Sequence, residues 1–178
     1  MAERQHIVHP LPPIYEANAR VLILGTMPSP KSREAAFYYA HPRNRFWPVL
    51  AAVFGEELPD TSDARIRFIH RHHIALWDVL AACDITGADD GSIDHPQSND
   101  IGWLLGQAPI HTVFTTGQKA AQLYRRLVQP VIGRTAIELP STSPANCGWT
   151  EQALIAAYAA VRGALEADQS SRGGEPVG

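Results

Sequence analysis

One short stretch decides the fold class: Val21-Leu22-Ile23-Leu24-Gly25, which a loop rich in Pro and Ser follows directly. An apolar run of this length that ends in Gly is typical of a strand buried on both faces. Similar runs predict strands at 74–77, 112–117 and 135–139, and the intervening segments predict helices at 46–54, 63–72, about 99–108, 118–128 and 150–167. This alternation predicts an α/β fold with three layers, α/β/α, around a short, mostly parallel four-stranded sheet.

The length and composition indicate one ordinary globular domain. The chain has 178 residues, of which 45% are apolar and 19% charged, and these values exclude a disordered or coiled-coil protein. We expect residues 1–167 to form the domain and residues 168–178, rich in Ser and Gly, to form a disordered tail. Residues 1–19 predict an irregular lead-in, and the polar, turn-rich residues 84–99 predict a long loop.

Two cysteines, Cys83 and Cys147, exclude a disulfide scaffold and favour a reducing compartment. The first residues lead into no long apolar segment, and no run approaches the roughly 20 residues that a membrane span requires. We therefore expect a cytoplasmic protein with no membrane partner. Nothing in the sequence demands more than a monomer.

The charge is unevenly distributed along the chain. The net charge is -3, which argues mildly against nucleic-acid binding. Basic residues nevertheless cluster in 31–45, against one Glu, and in 117–134, which has no acidic residue. Local basic stretches on a nearly neutral body suit contact with a short piece of phosphate backbone.

Loops follow the first and last predicted strands at 26–47 and 140–147. In parallel sheets, ligands bind beyond the carboxyl ends of the strands, so these two loops are the expected site. Other motifs are weak. His70, His72 and His73 lie at a predicted helix end, which favours a cationic cap over a metal site. No nucleophile elbow surrounds Ser141 or Ser143, and no dinucleotide-binding fingerprint is present. We expect no metal and no cofactor.

Residues 37–47 combine five aromatic rings with His41, Arg43, Asn44 and Arg45. Rings for base stacking, an amide for hydrogen bonding and Arg for phosphate are the ingredients of a nucleotide site. The segments Leu24–Ser29, Tyr39–Trp47 and Leu139–Asn146 together resemble the uracil-DNA glycosylase superfamily. The resemblance covers about residues 20–165 and is greatest to the hypoxanthine (deoxyinosine) DNA glycosylase branch, with the mismatch-specific uracil/thymine enzymes next.

The resemblance implies a role for each motif. Asn44 matches the key catalytic residue of the hypoxanthine branch, and His41 is a weaker catalytic candidate that could equally brace its loop. The implied base-binding residues are Gly25, Thr26, Met27, Pro28, Tyr39 and Phe46. Tyr39 falls where the mismatch-specific enzymes place a ring under the extruded base, whereas Phe46 also suits a core residue that begins a helix. The implied DNA-binding residues are Arg43, Arg45, Lys119, Ser141, Thr142, Ser143, Pro144, Ala145 and Asn146.

Two positions depart from the family pattern. Met27 stands where uracil-directed enzymes carry Asn or Asp to position water, and a thioether is only a weak acceptor. Uracil removal is therefore in doubt, and the hypoxanthine branch is favoured. Ala145-Asn146 replaces a bulkier wedge, so another residue could fill the gap that a flipped base leaves.

The resemblance implies a DNA repair glycosylase that flips out a deaminated base, with hypoxanthine as the favoured base, and hydrolyses its N-glycosidic bond. Only Lys31 and Lys119 could supply an amine nucleophile, and neither lies in a recognised motif, so we expect a monofunctional enzyme that leaves an abasic site. It would act at a bacterial-type nucleoid. Three alternatives stay open: a mismatch-specific uracil/thymine glycosylase, a non-catalytic module that binds damaged DNA, and an enzyme of free nucleosides.

Overall fold

A computed structural model describes residues 3–172, with side chains up to residue 168. The strands are β1 (Arg4–Val8), β2 (Val21–Gly25), β3 (Ile74–Asp78), β4 (Leu80–Thr86), β5 (Asp94–Ser98), β6 (Thr112–Thr116) and β7 (Ile137–Leu139). The helices are α1 (Pro30–Ala35), α2 (Phe46–Val53), α3 (Ser62–Arg71), α4 (Ile101–Leu105), α5 (Gln118–Leu123), α6 (Gln129–Ile132) and α7 (Glu151–Arg172).

Four strands form a parallel sheet in the order β3-β2-β6-β7. Every residue of the central strand β2 is buried. Because successive side chains of a strand point to opposite faces, this burial means that both faces of the sheet are covered. Helix α7 packs against β2 and α2, α3 packs against β3, and α5 packs against β6 and β7. The predicted α/β class and its four-stranded parallel sheet are confirmed.

A second, antiparallel sheet was not predicted. Its order is β1-β4-β5, so the irregular lead-in expected over 1–19 contains a strand, and the long loop expected over 84–99 is wrong. The pairing is between residues far apart in the chain, such as Arg4 with Thr86 and Val8 with Ala82. Strand β5 is largely exposed and contains Pro96, which a strand tolerates only at a sheet edge or bulge.

Several helix ends differ from the expected ones. Helix α7 continues through Arg172, five residues into the predicted tail, and residues 173–178 lie outside the described residues. The helix expected over 118–128 divides into α5 and a π-helical stretch, Tyr124–Val128, that leads into α6. Helix α4 ends at Leu105 rather than near 108.

The carboxyl ends of the parallel strands form one edge that positions the site. Gly25 pairs with Asp78, and Thr116 pairs with Leu139. The chain leaves β3 alongside the loop after β2, because the Val79 amide donates to the Gly25 carbonyl oxygen at 2.8 Å. The small sheet therefore begins at the same edge, where it adds one wall to the space above the strand ends.

Candidate active site

A cavity of about 270 Å³ lies at this edge of the sheet. It brings together most of the residues that the sequence indicated, from three separate loops. The predicted residues that line it are Gly25, Thr26, Met27, Pro28, Tyr39, His41, Asn44, Ser141, Thr142, Ser143, Pro144 and Ala145. Phe46, Arg43, Arg45, Lys119 and Asn146 lie outside it.

Asn44 presents a hydrogen-bond donor to the cavity. Its Oδ1 accepts the backbone N–H of Phe46 at 2.9 Å and the hydroxyl of Thr142 at 2.8 Å. A backbone N–H can only donate, so this contact fixes which end of the amide is oxygen. Both lone pairs of Oδ1 are then used. The half-buried side chain is left with its Nδ2 hydrogens, which can donate to an acceptor in the cavity but cannot accept from water.

His41 presents a second donor by the same logic. The Arg43 backbone N–H donates to His41 Nδ1 at 3.0 Å. A ring nitrogen that accepts carries no proton, so the neutral ring holds its hydrogen on Nε2. The backbone N–H of Asn44 closes the same short turn by donating to the His41 carbonyl oxygen at 2.9 Å. His41 thus braces its loop through one ring nitrogen and can donate to a ligand through the other.

Tyr39 places an aromatic ring in the wall of the cavity. The ring stacks on Phe46 with centroids 3.8 Å apart and planes inclined by 10°. Tyr39 has a φ of 51°, a left-handed conformation that costs a side chain of this size about 1–3 kcal/mol. Burial, and then the negative charge of Asp78, raise the pKa of the Tyr39 hydroxyl well above its ordinary value. The hydroxyl therefore stays protonated, 3.2 Å from the Thr116 hydroxyl.

The assignment of Phe46 to base binding is corrected by its position. Phe46 is completely buried and lies behind Tyr39, away from the cavity. Its ring also meets Trp47 and Tyr158 edge-on. Phe46 consequently supports the ring that faces the ligand and cannot itself touch a base.

Arg45 and Asn146 both make hydrogen bonds within the protein. The Arg45 guanidinium donates to the carbonyl oxygens of Asn146 and Trp149, at 3.0 and 2.5 Å. The Asn146 amide donates to the Ser141 carbonyl oxygen at 2.8 Å. These contacts use two of the five N–H donors of Arg45, and its contact with DNA stays a prediction. They also show that Asn146 closes its own loop and is not a free wedge.

A wider groove adjoins the cavity on the side of α5. Lys119, Ala145, Asn146 and Trp149 line it together with Ser141 and Ser143. Trp149 is 41% exposed, although its side chain is large and apolar. Sequence reasoning did not single out this tryptophan. The sequence offers one indication of its role, because Trp149 closely follows the Ser141–Asn146 loop.

A family model described as the uracil DNA glycosylase superfamily matches residues 12–162, which is most of the chain. The chain belongs to the uracil DNA glycosylase superfamily. Two relatives have the name hypoxanthine DNA glycosylase. The one from Methanosarcina acetivorans is 32% identical over 137 residues, covering 76% of this chain and 85% of the relative. The one from Methanosarcina barkeri is 33% identical over 150 residues, covering 79% and 94%.

A solved structure agrees with this membership. It is the solution NMR structure of a protein from Methanosarcina acetivorans that is provisionally named a uracil DNA glycosylase. Its TM-score against this chain is 0.74 at 26% sequence identity, and the match covers 89% of this chain and 99% of the other. The superfamily fold predicted from the three motifs is therefore confirmed.

Sequence reasoning missed two residues of the glycosylase site, Asp78 and His9. Asp78 ends β3 and lines the cavity, and its Oδ2 lies 2.7 Å from His9 Nε2. A signal for Asp78 was available, because it directly follows the apolar run 74–77, as Gly25 ends the first run. His9 carries no such signal, because the strand β1 that precedes it pairs with distant residues.

Within residues 3–172, no group of three or more His, Cys, Asp or Glu side chains is arranged to hold a metal ion. His70 and His72 instead contact Glu16 and Glu56 around the end of α3. No helix in the same part of the chain has the length and apolar character to cross a bilayer.

Proposed function

We propose that this member of the superfamily is a DNA repair glycosylase that extrudes hypoxanthine from DNA and hydrolyses its N-glycosidic bond. The names of both relatives support the choice of base. The cavity of about 270 Å³ lies just below the range of about 300–1,000 Å³ that is usual for drug-sized ligands. Its size supports a single base as the occupant.

The observation that carries the proposal is the state of the Asn44 amide. A base that departs from C1′ gains negative charge, and a fixed donor beside it lowers the barrier. Asn44 is such a donor, because its oxygen is held by the Phe46 amide and the Thr142 hydroxyl. The Nε2–H of His41 supplies a second donor at the same cavity.

The reaction begins with extraction of the base. Flipping costs a few kcal/mol, and less at a weak pair such as hypoxanthine with thymine. The base then stacks on Tyr39, whose ring Phe46 supports from behind. As the bond between C1′ and the base nitrogen breaks, its electron pair leaves with the base, and Asn44 and His41 stabilise that negative charge. Water then adds to C1′ and loses one proton, and the base takes up a proton to leave as the neutral molecule.

The DNA backbone would cross the mouth of the cavity. Arg43 is exposed beside it, and Lys119 lies in the adjoining groove. The hydroxyls of Ser141 and Ser143 border both spaces. Trp149 is exposed and also lines this groove, so its ring can contact the bases next to the gap.

We further propose a monofunctional enzyme that works as a cytoplasmic monomer at the nucleoid. Neither Lys31 nor Lys119 lines the cavity, and Lys31 lies 3.7 Å from Glu34. An abasic site is then the product, since strand cleavage requires an amine nucleophile.

Met27 in the cavity wall disfavours the second candidate, a mismatch-specific uracil/thymine glycosylase, because its thioether holds water poorly.

The test is a single-turnover assay on duplexes that carry one hypoxanthine, xanthine or uracil. The wild type is compared with Asn44→Ala and with the matched control Asn18→Ala, at an exposed position. We expect release of hypoxanthine that falls about 100- to 1,000-fold in Asn44→Ala and is unchanged in the control. Uracil release that survives in Asn44→Ala would favour the mismatch-specific enzyme. Binding without release from any duplex would indicate a damage-binding module.

A further inference from the structure

Asp78 is a buried carboxylate at the floor of the cavity. Its side chain is 5% exposed and that of His9 is 3% exposed. Within residues 3–172, the structure records one donor to this carboxylate, His9 Nε2 at 2.7 Å from Oδ2. Buried charges are normally held by several hydrogen bonds. The described residues give Oδ1 no hydrogen-bond donor, so it can accept one from a ligand in the cavity.

The state of His9 is fixed by its other contact. The Leu11 backbone N–H donates to His9 Nδ1 at 3.2 Å, so the ring is neutral and its hydrogen lies on Nε2. His9 thus donates to Oδ2 without adding a positive charge. The pair keeps one negative charge, and its orientation leaves Oδ1 as the acceptor.

The loop after β2 makes room for Oδ1. A Cβ on Gly25 would lie 2.4 Å from Asp78 Oδ1, which is closer than two such atoms can approach. Only Gly at this position allows the carboxylate to keep its place beside the cavity wall. Gly25, Asp78 and the Tyr39 hydroxyl thus meet at one point, since the same Cβ would lie 3.1 Å from the Tyr39 oxygen.

We propose that Asp78 is a specificity-determining residue that accepts a hydrogen bond from the N1–H of a 6-oxopurine. This inference rests on the proposed function and deepens it. Hypoxanthine carries a hydrogen on N1, whereas adenine presents a lone pair there. A carboxylate oxygen attracts the first and repels the second, so Asp78 separates the deaminated base from its parent. Uracil and xanthine share the same N–H beside a carbonyl group, and Asp78 admits them equally.

The negative charge of Asp78 has an electrostatic cost for bond cleavage. A carboxylate near a departing base opposes the negative charge that grows on it, and the donors of Asn44 and His41 must offset that effect. We therefore expect Asp78 to contribute to recognition of the base and not to the rate of glycosidic bond cleavage. Guanine also carries an N1–H, and its exclusion rests on the greater cost of extracting it from a stable pair.

Asp78→Asn is the informative variant. The His9 N–H would still hold the amide oxygen, so the new NH2 group would occupy the place of Oδ1. In the variant, this NH2 group would face the N1–H of hypoxanthine, and two donors repel each other. Unsubstituted purine has a lone pair on N1, so the NH2 group can donate a hydrogen bond to it. We expect release of hypoxanthine to fall about 10- to 150-fold, the loss of one charge-assisted hydrogen bond. Release of purine should stay unchanged or rise.

The experiment measures single-turnover release from duplexes with hypoxanthine, xanthine or purine, for the wild type, Asp78→Asn and the exposed control Asp60→Asn. A change in the ratio of hypoxanthine to purine confined to Asp78→Asn supports the proposal. An equal loss on all bases, with an active wild type, overturns it and leaves Asp78 a structural residue. No release by the wild type would instead overturn the proposed function.

A second measurement needs no variant and so does not depend on folding. A site built to bond a substrate N–H rejects an analogue that lacks it by about 10⁴–10⁵-fold. The wild type should therefore release purine at least about 10⁴-fold more slowly than hypoxanthine. Rates within tenfold of each other would overturn the role of Asp78.

Discussion

The hydroxyl of Thr142 donates a hydrogen bond of 2.8 Å to Asn44 Oδ1, across 98 residues of chain. Together with the Phe46 amide, it turns the NH2 group of Asn44 toward the cavity. Thr142 lies in the loop 141–146, for which the resemblance implies contact with DNA, and its side chain is buried. We therefore expect Thr142 to position Asn44 rather than to bind a phosphate.

Thr142→Val should slow base release about fivefold, because it removes one hydrogen bond of roughly 1 kcal/mol while keeping the shape of the side chain. Thr142→Ser retains the hydroxyl and should restore most of the rate. Single-turnover kinetics at saturating enzyme measures this step apart from DNA binding. Equal rates for the Val and Ser variants would contradict the positioning role.

Tyr39 should matter for its ring and much less for its hydroxyl. Tyr39→Leu removes base stacking, which is worth about 1–3 kcal/mol per base, and should weaken binding about 5- to 150-fold. Tyr39→Phe keeps the ring and loses only the contact with Thr116. Leu and Phe must both adopt the left-handed backbone conformation of residue 39, so backbone strain does not account for a difference between the two variants. Fluorescence anisotropy with a hypoxanthine duplex gives the affinity, and similar losses in both variants would argue against stacking.

Arg43 and Arg45 should separate in their effects despite their closeness in sequence. Arg43→Ala should weaken binding to damaged and undamaged duplexes alike, and reduce the slope of log affinity against log salt by about 0.9, the share of one phosphate. Arg45→Lys keeps the charge but loses the fork that holds Asn146 and Trp149. It should keep the salt slope and lower the rate of base release. A reduced salt slope in Arg45→Lys would show that Arg45 contacts phosphate.

The small sheet should be sensitive to acid through Asp84. Hydrogen bonds from His6, Arg4 and His95 lower the pKa of Asp84 to about 2, from an ordinary 3.8. A carboxylate with a lowered pKa stabilises the fold above its unfolded pKa, and this contribution is lost as the pH falls through the folded pKa. The free energy of unfolding should thus decrease between about pH 4 and pH 2.

Asp84→Asn should flatten that decrease, whereas the exposed control Asp60→Asn should not. Urea unfolding at several pH values, followed by circular dichroism, measures the effect. The variant should be less stable than the wild type at pH 7 and converge with it near pH 2. Parallel curves for the wild type and Asp84→Asn would contradict the assignment.

The strands and loops of the large sheet could be predicted because their signals are local. Gly25 and Gly117 end apolar runs, and each stands where a side chain would meet a neighbour. The small sheet could not be predicted, because β1 and β4 pair over a long separation and β5 is polar and exposed. Asp78 could have been found from its place at a strand end, whereas its partner His9 depends on that distant pairing.

Motif matching placed Asn44 and Phe46 in one site but could not separate their roles. Asn44 lies two positions before Phe46, the first residue of α2. Asn44 lines the cavity, whereas Phe46 enters the core. The same limit applies to Arg45, whose type suits phosphate but whose hydrogen bonds go to backbone carbonyls. Residue type predicts what a side chain can bind, and only packing decides what it does bind.

Arg45 and Asn44 are neighbours, and both are bound to the segment 142–149. The part of the protein that would press on DNA and the amide that would act on the base are thus cross-linked into one unit. Their relative placement is set when the chain folds, so an encounter with DNA need not organise it. The entropic cost of bringing the reacting groups together is therefore incurred during folding, before the substrate binds. Such preorganisation gives up adaptability, and the range of accepted bases then depends on the shape of the cavity.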